Sequence, residues 1–454
     1  MTRKPDAVFL EGSLMRHVTV MALSGTAGLG FTFLVDFLAL WWVSRLGQEV
    51  LIAALGFAGT LQFAVISIAI GMMIGAVALV ARALGQGDRA RARRIASAAL
   101  VMTFAVQSVV AAAVFVWRHE ILAFGGAEGA ALEEGARFLA ITLPSLPLLA
   151  LGMVASAVLR AVGDAWRSMS VTMVAGAVAA VLDPVLIVWA GWGIEGAAVS
   201  MAAARLAMTV VGLRFVIAVH DMLARPRLDE AMAVSRPFFG IALPAVATQL
   251  STPFGNWLLT RAMAEHGESA VAGWGVVMRL TILAFGGIFA LSGAIGGIIG
   301  QNFGAERHDR VAKAFGAALV YCLVYTLMVW AAMVVLGDRI AASFGLSDEG
   351  AAVVRTFTHY AAGSFIFTGA LFVANASFNN LGRPLWSTGA NWLRDGVMMY
   401  PAALVLGAAF AGPGVIWAQA LVNVVAGALA AWLAWRYIRF LGRRRDQAAN
   451  AAAD

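Results

Sequence analysis

Charged residues are scarce in this chain. Only 13% of its 454 residues are Asp, Glu, Lys or Arg, whereas 61% are hydrophobic, and the mean hydropathy is +0.84. A soluble domain carries roughly a quarter charged residues, so the composition excludes a water-soluble globular protein. One membrane span takes about 20 apolar residues. The sequence therefore predicts a multi-pass membrane protein without a large domain outside the membrane.

Cysteine and histidine are also rare. The single cysteine, Cys322, excludes an intramolecular disulfide and a metal cluster built on cysteines. The six histidines are scattered, without HxxxD or HExxH spacing, and the phosphate-binding pattern GxxxxGK[ST] is absent. The net charge of +7 is distributed between apolar segments, unlike the basic face of a nucleic-acid-binding domain. We therefore expect no enzyme, no ATP-driven pump, no metal, no cofactor and no nucleic-acid partner.

Apolar stretches bounded by charge or by Gly and Pro predict twelve transmembrane helices in an all-α fold. The predicted spans are 17–43, 50–81, 95–117, 137–159, 168–190, 195–219, 237–263, 269–299, 312–337, 352–380, 385–409 and 414–438.

Two halves of the chain repeat each other. The stretch that begins at Leu84 has the sequence LGQGDRARARRIASAAL and returns at Ile299 as IGQNFGAERHDRVAKAFGAAL. Three further pairs recur in the same order, with offsets of 215 to 220 residues: RHEILAFGG and DRIAASFGL, LRAVGD and NNLGRP, Asp183-Pro184 and Tyr400-Pro401. Six spans return the chain to its starting side, so the sequence predicts two parallel six-helix bundles related by a pseudo-twofold axis along the membrane normal.

The predicted domains follow from this repeat. We expect an N-lobe at 1–220, an inter-lobe linker at 221–236, a C-lobe at 237–440 and a tail at 441–454.

Basic residues predict the orientation in the membrane. Of the 32 Lys and Arg residues, 22 lie in the tails and in the loops on one side, and six lie in the loops on the other side. Basic loops tend to stay in the cytoplasm, so both termini and the linker are predicted to be cytoplasmic, in a bacterial-type inner membrane. The other four, Arg205, Arg214, Arg279 and Arg394, fall within predicted spans.

The repeat motifs, together with the RAVGD turn and the fifth-span stretch LDPVLIVWAGWGIEGAA, resemble the multidrug and toxic compound extrusion (MATE) transporters over residues 15 to 440. The resemblance implies a two-lobed transporter that exports small lipophilic or cationic compounds, surrounded by membrane lipids and monomeric. It also implies closer kinship with the proton-coupled DinF-type branch than with the NorM-type branch.

Asp36 is the first candidate for proton coupling, since it lies near the middle of the first span. A carboxylate at that depth costs roughly 2.5 to 3.5 kcal/mol and should face the bundle interior or a water-filled cavity. A group held there can take up a proton on one side and release it on the other. A structural Asp bonded to a neighbouring helix is the alternative. The resemblance implies that Asp36 is the coupling residue of proton-driven members.

Asp183 is the second candidate. Pro184 follows it and removes a backbone donor, so a carbonyl is freed near the acid. The resemblance implies that this acid belongs to an ion site with an Asn one turn earlier, where this chain has Ala179. Hard cations need several oxygen ligands, so the departure favours proton coupling over sodium coupling. A helix-end Asp near the outer surface is the alternative.

The second half offers weaker candidates for a substrate cavity. Its first span contains no acid, so the branch with a glutamate ligand there is a poor match, and Gln249, Thr252 and Asn256 are more typical of contacts between helices. Gln62, Arg279 and Asp395 are the remaining cavity candidates. A structural partner is the favoured interpretation of Arg279. Arg394 and Asp395 need not pair, because adjacent helical residues point about 100° apart.

Proton-driven export by alternating access is thus the leading hypothesis. Three alternatives stay open: a sodium-coupled exporter of the same family, a flippase for a lipid-linked oligosaccharide, and a membrane-embedded acyl or glycosyl transferase. A flippase should have a strongly cationic cavity, and the four in-span arginines and two acids of the first half disfavour it.

Overall fold

The computed structural model describes residues 7–44, 49–225 and 228–451, and the regular structure in these ranges is entirely helical. The α-helices are α1 (Leu14–Ser44), α2 (Glu49–Gly85), α3 (Arg89–Val116), α4 (Arg118–Phe124), α5 (Gly129–Thr142), α6 (Leu146–Val162), α7 (Ala165–Asp183), α8 (Gly193–Arg214), α9 (Leu228–Ala264), α10 (Glu268–Ala284), α11 (Gly286–Gly304), α12 (His308–Ser343), α13 (Asp348–His359), α14 (Phe365–Asn380), α15 (Pro384–Trp392) and α16 (Met399–Ala451). Short 3-10 helices occupy Val8–Leu10, Leu143–Ser145 and Ala361–Ser364, and π-helical segments occupy Pro184–Trp189, Phe215–Val219 and Leu393–Met398.

The helices provide the twelve predicted crossings. Ten helical segments of the described chain are long and apolar enough to span a membrane, and the pair α10 and α11, bent by 47°, forms an eleventh. The last segment, Pro384–Gln447, has 64 residues and would measure about 96 Å at 1.5 Å per residue, against a hydrocarbon core of about 30 Å. It breaks at Ala411, which has a φ of 54° and is followed by Pro413. The break divides it into the eleventh and twelfth spans.

Several spans are less regular than the sequence predicts. The fourth begins at Gly129 rather than at 137 and is interrupted by the 3-10 turn Leu143–Ser145. The fifth, sixth and eleventh each contain a π-helical segment. Apolar periodicity does not reveal these segments, because three to six residues are too few for their different number of residues per turn to show in the pattern. The basic residues Arg3, Lys4, Arg45 and Arg227, which contribute to the orientation argument, lie outside the described residues.

Contacts divide the chain into two compact units. One comprises Ala27–Leu84 and Asp88–Val246 and is called the N-terminal unit below; the other comprises Met1–Thr26, Gly85–Gly87 and Ala247–Asp454 and is called the C-terminal unit. The division falls inside α1 and α9, whereas the predicted lobes meet at the linker 221–236. The lobe boundaries stay a prediction.

In the N-terminal unit, the first repeat motif holds the chain that leads into α9. The guanidinium of Arg93 donates to the Leu223 carbonyl from Nε at 3.0 Å and from Nη2 at 2.6 Å. Ser97 Oγ donates to the Ala224 carbonyl at 2.8 Å and accepts from the Ala224 amide at 2.9 Å. The start of the predicted linker is thus bound to α3.

The adjoining turn is held by charge. His220 Nε2 lies 2.9 Å from Asp164 Oδ2, and the backbone and side chain of Arg167 donate to the same carboxylate at 3.1 and 2.5 Å. Burial by itself would raise the pKa of Asp164, but these hydrogen bonds outweigh burial and leave the pKa well below its usual value. The ionised carboxylate therefore stabilises the fold at neutral pH, and that contribution disappears as the pH falls below about 4.

In the C-terminal unit, the second repeat motif holds the chain that leads into α1. The Phe9 amide donates to Gln301 Oε1 at 2.9 Å, and the Phe9 carbonyl accepts from Asn302 Nδ2 at 3.2 Å and from Arg310 Nη2 at 3.0 Å. Phe9 is 1% exposed. Each motif therefore binds the segment that enters the first helix of the opposite half of the sequence.

The contact between the second repeat motif and Phe9 can be tested by removing the charge of Arg310. Arg310→Gln should accelerate hydrogen–deuterium exchange of the peptide covering residues 7–12 by about tenfold, because a hydrogen bond to a charged group contributes roughly 1.5 to 3 kcal/mol. Mass spectrometry of the purified protein measures this. The matched control is Lys313→Gln, on the same helix and exposed, which should leave exchange unchanged. Equal exchange in both variants would contradict the role of Arg310.

Candidate functional site

Helices α1 and α7 of the N-terminal unit pack closely and run in the same direction. A Cβ on Gly176 of α7 would lie 2.8 Å from the Phe31 ring and 3.5 Å from Val35 Cγ2. Further toward the start of both helices, a Cβ on Gly28 would lie 3.5 Å from Met169 Cγ. Glycine thus lets the backbones approach, and the residue numbers of the two helices rise together along the contact.

Helix α8 runs in the opposite direction along α7. A Cβ on Gly196 would lie 2.7 Å from the Leu186 carbonyl carbon, and at the other end a Cβ on Gly212 would lie 3.4 Å from Val171 Cγ1. This register places Arg205, midway between the two glycines, beside the middle of α7.

The two registers bring the charged residues of three helices together. Asp36 of α1 and Arg205 of α8 lie at about the depth of Ala179 on α7, and Asp183 lies one turn further along. The Asp36 carboxylate interacts favourably with the Arg205 guanidinium and unfavourably with Asp183. Ser200 of α8 lies next to Asp183. The two predicted coupling residues therefore share one bundle, with a cation near Asp36.

Arg205 is the centre of a buried hydrogen-bond network. Its Nη1 donates to the Thr142 carbonyl at 2.8 Å and to Ser145 Oγ at 2.9 Å. Its Nη2 donates to Gln62 Oε1 at 2.6 Å and contacts Met201 Sδ at 3.1 Å. Gln62 Nε2 donates in turn to Thr142 Oγ1 at 2.9 Å. Because α5 ends in a 3-10 turn, the Thr142 carbonyl is free to accept from Arg205; in a continuous α-helix it would accept a backbone hydrogen bond instead.

Asp183 is buried at a break in its helix. It is 3% exposed and is the last residue of α7, before the π-helical segment Pro184–Trp189. The buried hydroxyl of Ser200 lies near this carboxylate but does not meet the geometry of a hydrogen bond. A π segment after a proline weakens the regular backbone ladder, so the helix can bend beside the acid. Asp183 is thus a buried acid at the end of α7.

Asp36 differs from Asp183 in its exposure. Val35 is 2% exposed, but Asp36 itself is exposed, and no described residue hydrogen-bonds to its carboxylate. An accessible carboxylate that also interacts with buried charges can exchange a proton and transmit the change in charge to the bundle.

The C-terminal unit contains a buried ion pair. Arg394 Nε donates to Asp395 Oδ1 at 2.7 Å and Arg394 Nη2 donates to Asp395 Oδ2 at 2.9 Å, although the residues are adjacent. Ser251 Oγ of α9 donates to Asp395 Oδ2 at 2.8 Å. A Cβ on Gly255 would lie 2.9 Å from Asp395 Cβ, so glycine admits the carboxylate. Both charged residues lie in the π-helical segment Leu393–Met398, where the α-helical angle of 100° does not apply.

The other cavity candidates of α9 and α10 form no hydrogen bond with this pair. Gln62 is 4% exposed and bonded within the Arg205 network. Gln249, Thr252 and Asn256 are half-buried on α9. Arg279 is exposed and forms no hydrogen bond or ion pair with a described residue, so the structural partner favoured by the sequence is not found.

Sequence reasoning noticed Arg205 only as one of four in-span arginines. It missed the acceptors Thr142 and Ser145 and the neighbour Ser200 altogether. Small hydroxyl residues are common in membrane helices, so their composition carries little signal. The rule that an in-span charge has a partner inside the bundle could have directed attention to Arg205.

A metal site is not evident. Among the described residues, no group of three or more His, Cys, Asp or Glu side chains is placed to hold a metal ion.

The MatE family model matches residues 29–185 and 244–404, which is more than half of the chain. The protein belongs to the MATE family of secondary transporters. The two matches begin 215 residues apart and end 219 residues apart, as the internal repeat predicts. The expected MATE resemblance is confirmed.

Several relatives match this MATE protein over nearly its whole length. The FAD transporter of Shewanella oneidensis is 26% identical over 436 residues, 94% of each chain. The multidrug export protein MepA of Staphylococcus aureus is 23% identical over 428 residues, 92% of each chain. A solved multidrug resistance MATE transporter in an outward-facing conformation superimposes with a TM-score of 0.90 at 21% identity, over 97% of this chain and 99% of the other. The twelve-helix MATE fold is thereby confirmed, and the protein is a secondary transporter rather than an enzyme.

The ion pair of this MATE transporter allows a test of buried charge. Arg394→Met should lower stability by about 3 to 5 kcal/mol, because it leaves the Asp395 charge buried without its partner. The double variant Arg394→Met, Asp395→Leu should recover most of that loss. Thermal unfolding of the purified protein in detergent compares the three proteins. A double variant no more stable than the single one would contradict this account.

Proposed function

We propose that the protein exports lipophilic cations in exchange for protons by alternating access. The observation that carries the proposal is the grouping of Asp36, Asp183 and Arg205 within one bundle. We place it in the DinF-type branch and in a bacterial-type cytoplasmic membrane with both termini inside, as the distribution of basic residues favours. The multidrug export protein MepA, similar over 92% of this chain, supports a drug-like cargo.

Protonation of Asp36 is the coupling step in this proposal. An ionised Asp36 attracts the Arg205 guanidinium of α8 and repels Asp183 of α7. A proton on Asp36 cancels both interactions, so the preferred arrangement of α1 relative to α7 and α8 changes. The break at Pro184 is where α7 can respond. One elementary charge crossing 100 mV is worth about 2.3 kcal/mol, which is enough to bias two conformations of similar free energy.

A dinucleotide is the second candidate cargo. The relative from Shewanella oneidensis is an FAD transporter and is similar over 94% of this chain. FAD carries a pyrophosphate, so its recognition needs cationic or donor groups. Of the two arginines in the predicted spans of the C-terminal unit, Arg394 is 6% exposed and paired with Asp395, whereas Arg279 is exposed. This scarcity of available cations favours the lipophilic cation over FAD and over a lipid-linked oligosaccharide.

The coupling role is tested by Asp36→Asn, which keeps the size of the side chain and removes its titration. Ethidium export driven by an imposed pH gradient in inverted membrane vesicles should fall at least tenfold, to the level of vesicles without the transporter. The control is Asp348→Asn, an exposed acid, which should export normally. Gradient-dependent export at the wild-type rate by Asp36→Asn would remove the mechanism.

The cargo is tested in the same vesicles with separately imposed gradients. Wild-type vesicles should accumulate ethidium in response to a proton gradient and not in response to a sodium gradient. Accumulation of FAD instead of ethidium would replace the cation by a dinucleotide. A response to sodium alone would establish the sodium-coupled alternative, and a response to neither gradient would reopen the flippase hypothesis.

A further inference from the structure

Arg205 is a buried cation whose hydrogen-bond partners are all uncharged. Its side chain is bonded to a backbone carbonyl, a hydroxyl and an amide oxygen, and it contacts a thioether sulfur, while the residue is 6% exposed. Burying a guanidinium without a counter-ion is strongly unfavourable. The opposite charge that compensates it must therefore come from a group nearby that is not bonded to it directly.

The charge that acts on the guanidinium comes from α1, and α7 adds a second acid that acts on that charge. Asp36 of α1 acts on the guanidinium electrostatically, and Asp183 of α7 acts on Asp36. The α2 helix and the turn after α5 contribute only Gln62, Thr142 and Ser145 to the surroundings. The helices α5, α6, α7 and α8 carry other charged residues, and none of those described forms a hydrogen bond with Arg205. They include Glu134, Arg137, Arg160, Arg167, Glu195 and Arg214.

The local charge balance then limits how many protons the cluster exchanges. With both acids ionised, the two carboxylates and one guanidinium sum to −1, and a single proton brings the sum to zero. A second proton would leave the buried guanidinium without any counter-ion. By this balance of charge, one of the two carboxylates stays ionised and the other is free to titrate.

The same guanidinium occupies the oxygen atoms that a metal cation would need. Gln62 Oε1, Ser145 Oγ and the Thr142 carbonyl already accept hydrogen bonds from it. At about the same depth, α7 offers only the methyl group of Ala179. A hard cation requires several oxygen ligands, and it would also be repelled by the fixed positive charge.

We propose that the guanidinium of Arg205 takes the place of a bound metal cation in the N-terminal unit. Its fixed charge restricts the pair of Asp36 and Asp183 to one exchangeable proton and excludes sodium. The single-proton part rests on the proposed function, whereas the exclusion of sodium does not require any cargo. Arg205 is therefore a specificity-determining residue for the coupling ion. It needs no contact with the substrate.

Sodium binding tests the exclusion without a transport assay. Radioactive sodium is equilibrated with purified protein at pH 8 and separated by rapid gel filtration. Wild-type protein and Arg205→Lys, which keeps the charge, should bind no sodium above the Asp36→Asn background. Arg205→Gln should bind about one ion per chain, because it removes the repulsion and releases the oxygen atoms. The matched control is Arg214→Gln, an exposed arginine of the same helix, which should behave as wild type.

The pH profile tests the effect on the proton. Removing a nearby cation makes the charged carboxylate less favourable, so in Arg205→Gln the pH at half-maximal ethidium export should rise by about one unit or more. Arg205→Lys should restore the wild-type midpoint. A purely structural role would lower the rate of export without moving the midpoint.

Two results would overturn the inference: sodium binding by the wild-type protein, or a folded Arg205→Gln protein that keeps the wild-type midpoint and binds no sodium. If Arg205→Gln does not fold, the wild-type and Arg205→Lys sodium measurements decide, since sodium binding by either contradicts the exclusion. If only the proposed function is wrong, the experiments give a different result. Neither gradient then drives ethidium export, but the sodium-binding measurements on the wild-type protein and the Arg205 variants come out as expected.

Discussion

The structure depends on how charge is kept inside an apolar bundle. A lone carboxylate or guanidinium in hydrocarbon is expensive, so each one must find partners, lie in contact with water or neutralise itself. The two units meet this constraint differently. In the C-terminal unit, Arg394 and Asp395 form a closed pair with two hydrogen bonds and a supporting serine. In the N-terminal unit, the charges of Asp36 and Arg205 interact without a direct bond.

In the proposed function, that difference separates a structural site from one that responds to protonation. A bidentate pair that is 6% and 2% exposed has little access to solvent, and breaking it leaves one ion buried without its partner. The N-terminal cluster combines an exposed carboxylate, a buried carboxylate beside a π-helical break, and a guanidinium held by neutral acceptors. A change of one proton there alters forces between three helices without breaking any hydrogen bond.

Outside the spans, the repeat motifs follow another rule. Their arginines bind backbone carbonyls of the segments that precede α1 and α9, at Phe9 and at Leu223. Every residue has a backbone carbonyl, so a hydrogen bond of this kind does not need a particular side chain in the bound segment. This explains why GQGDRARARR and GQNFGAERHDR keep their basic character while the bound segments show no common sequence.

Sequence alone determined the class of the protein, the twelve crossings and the two homologous halves, and it selected Asp36 and Asp183 as candidate coupling residues, because each follows from hydropathy, periodic repetition or the cost of a charge in hydrocarbon. It could not determine which charges meet. The pairing of Arg394 with its neighbour depends on a π-helical segment, and the place of Arg205 beside Asp36 depends on glycine contacts that set the registers of α1, α7 and α8. Those registers join residues more than a hundred positions apart, and only the folded bundle brings them to the same depth.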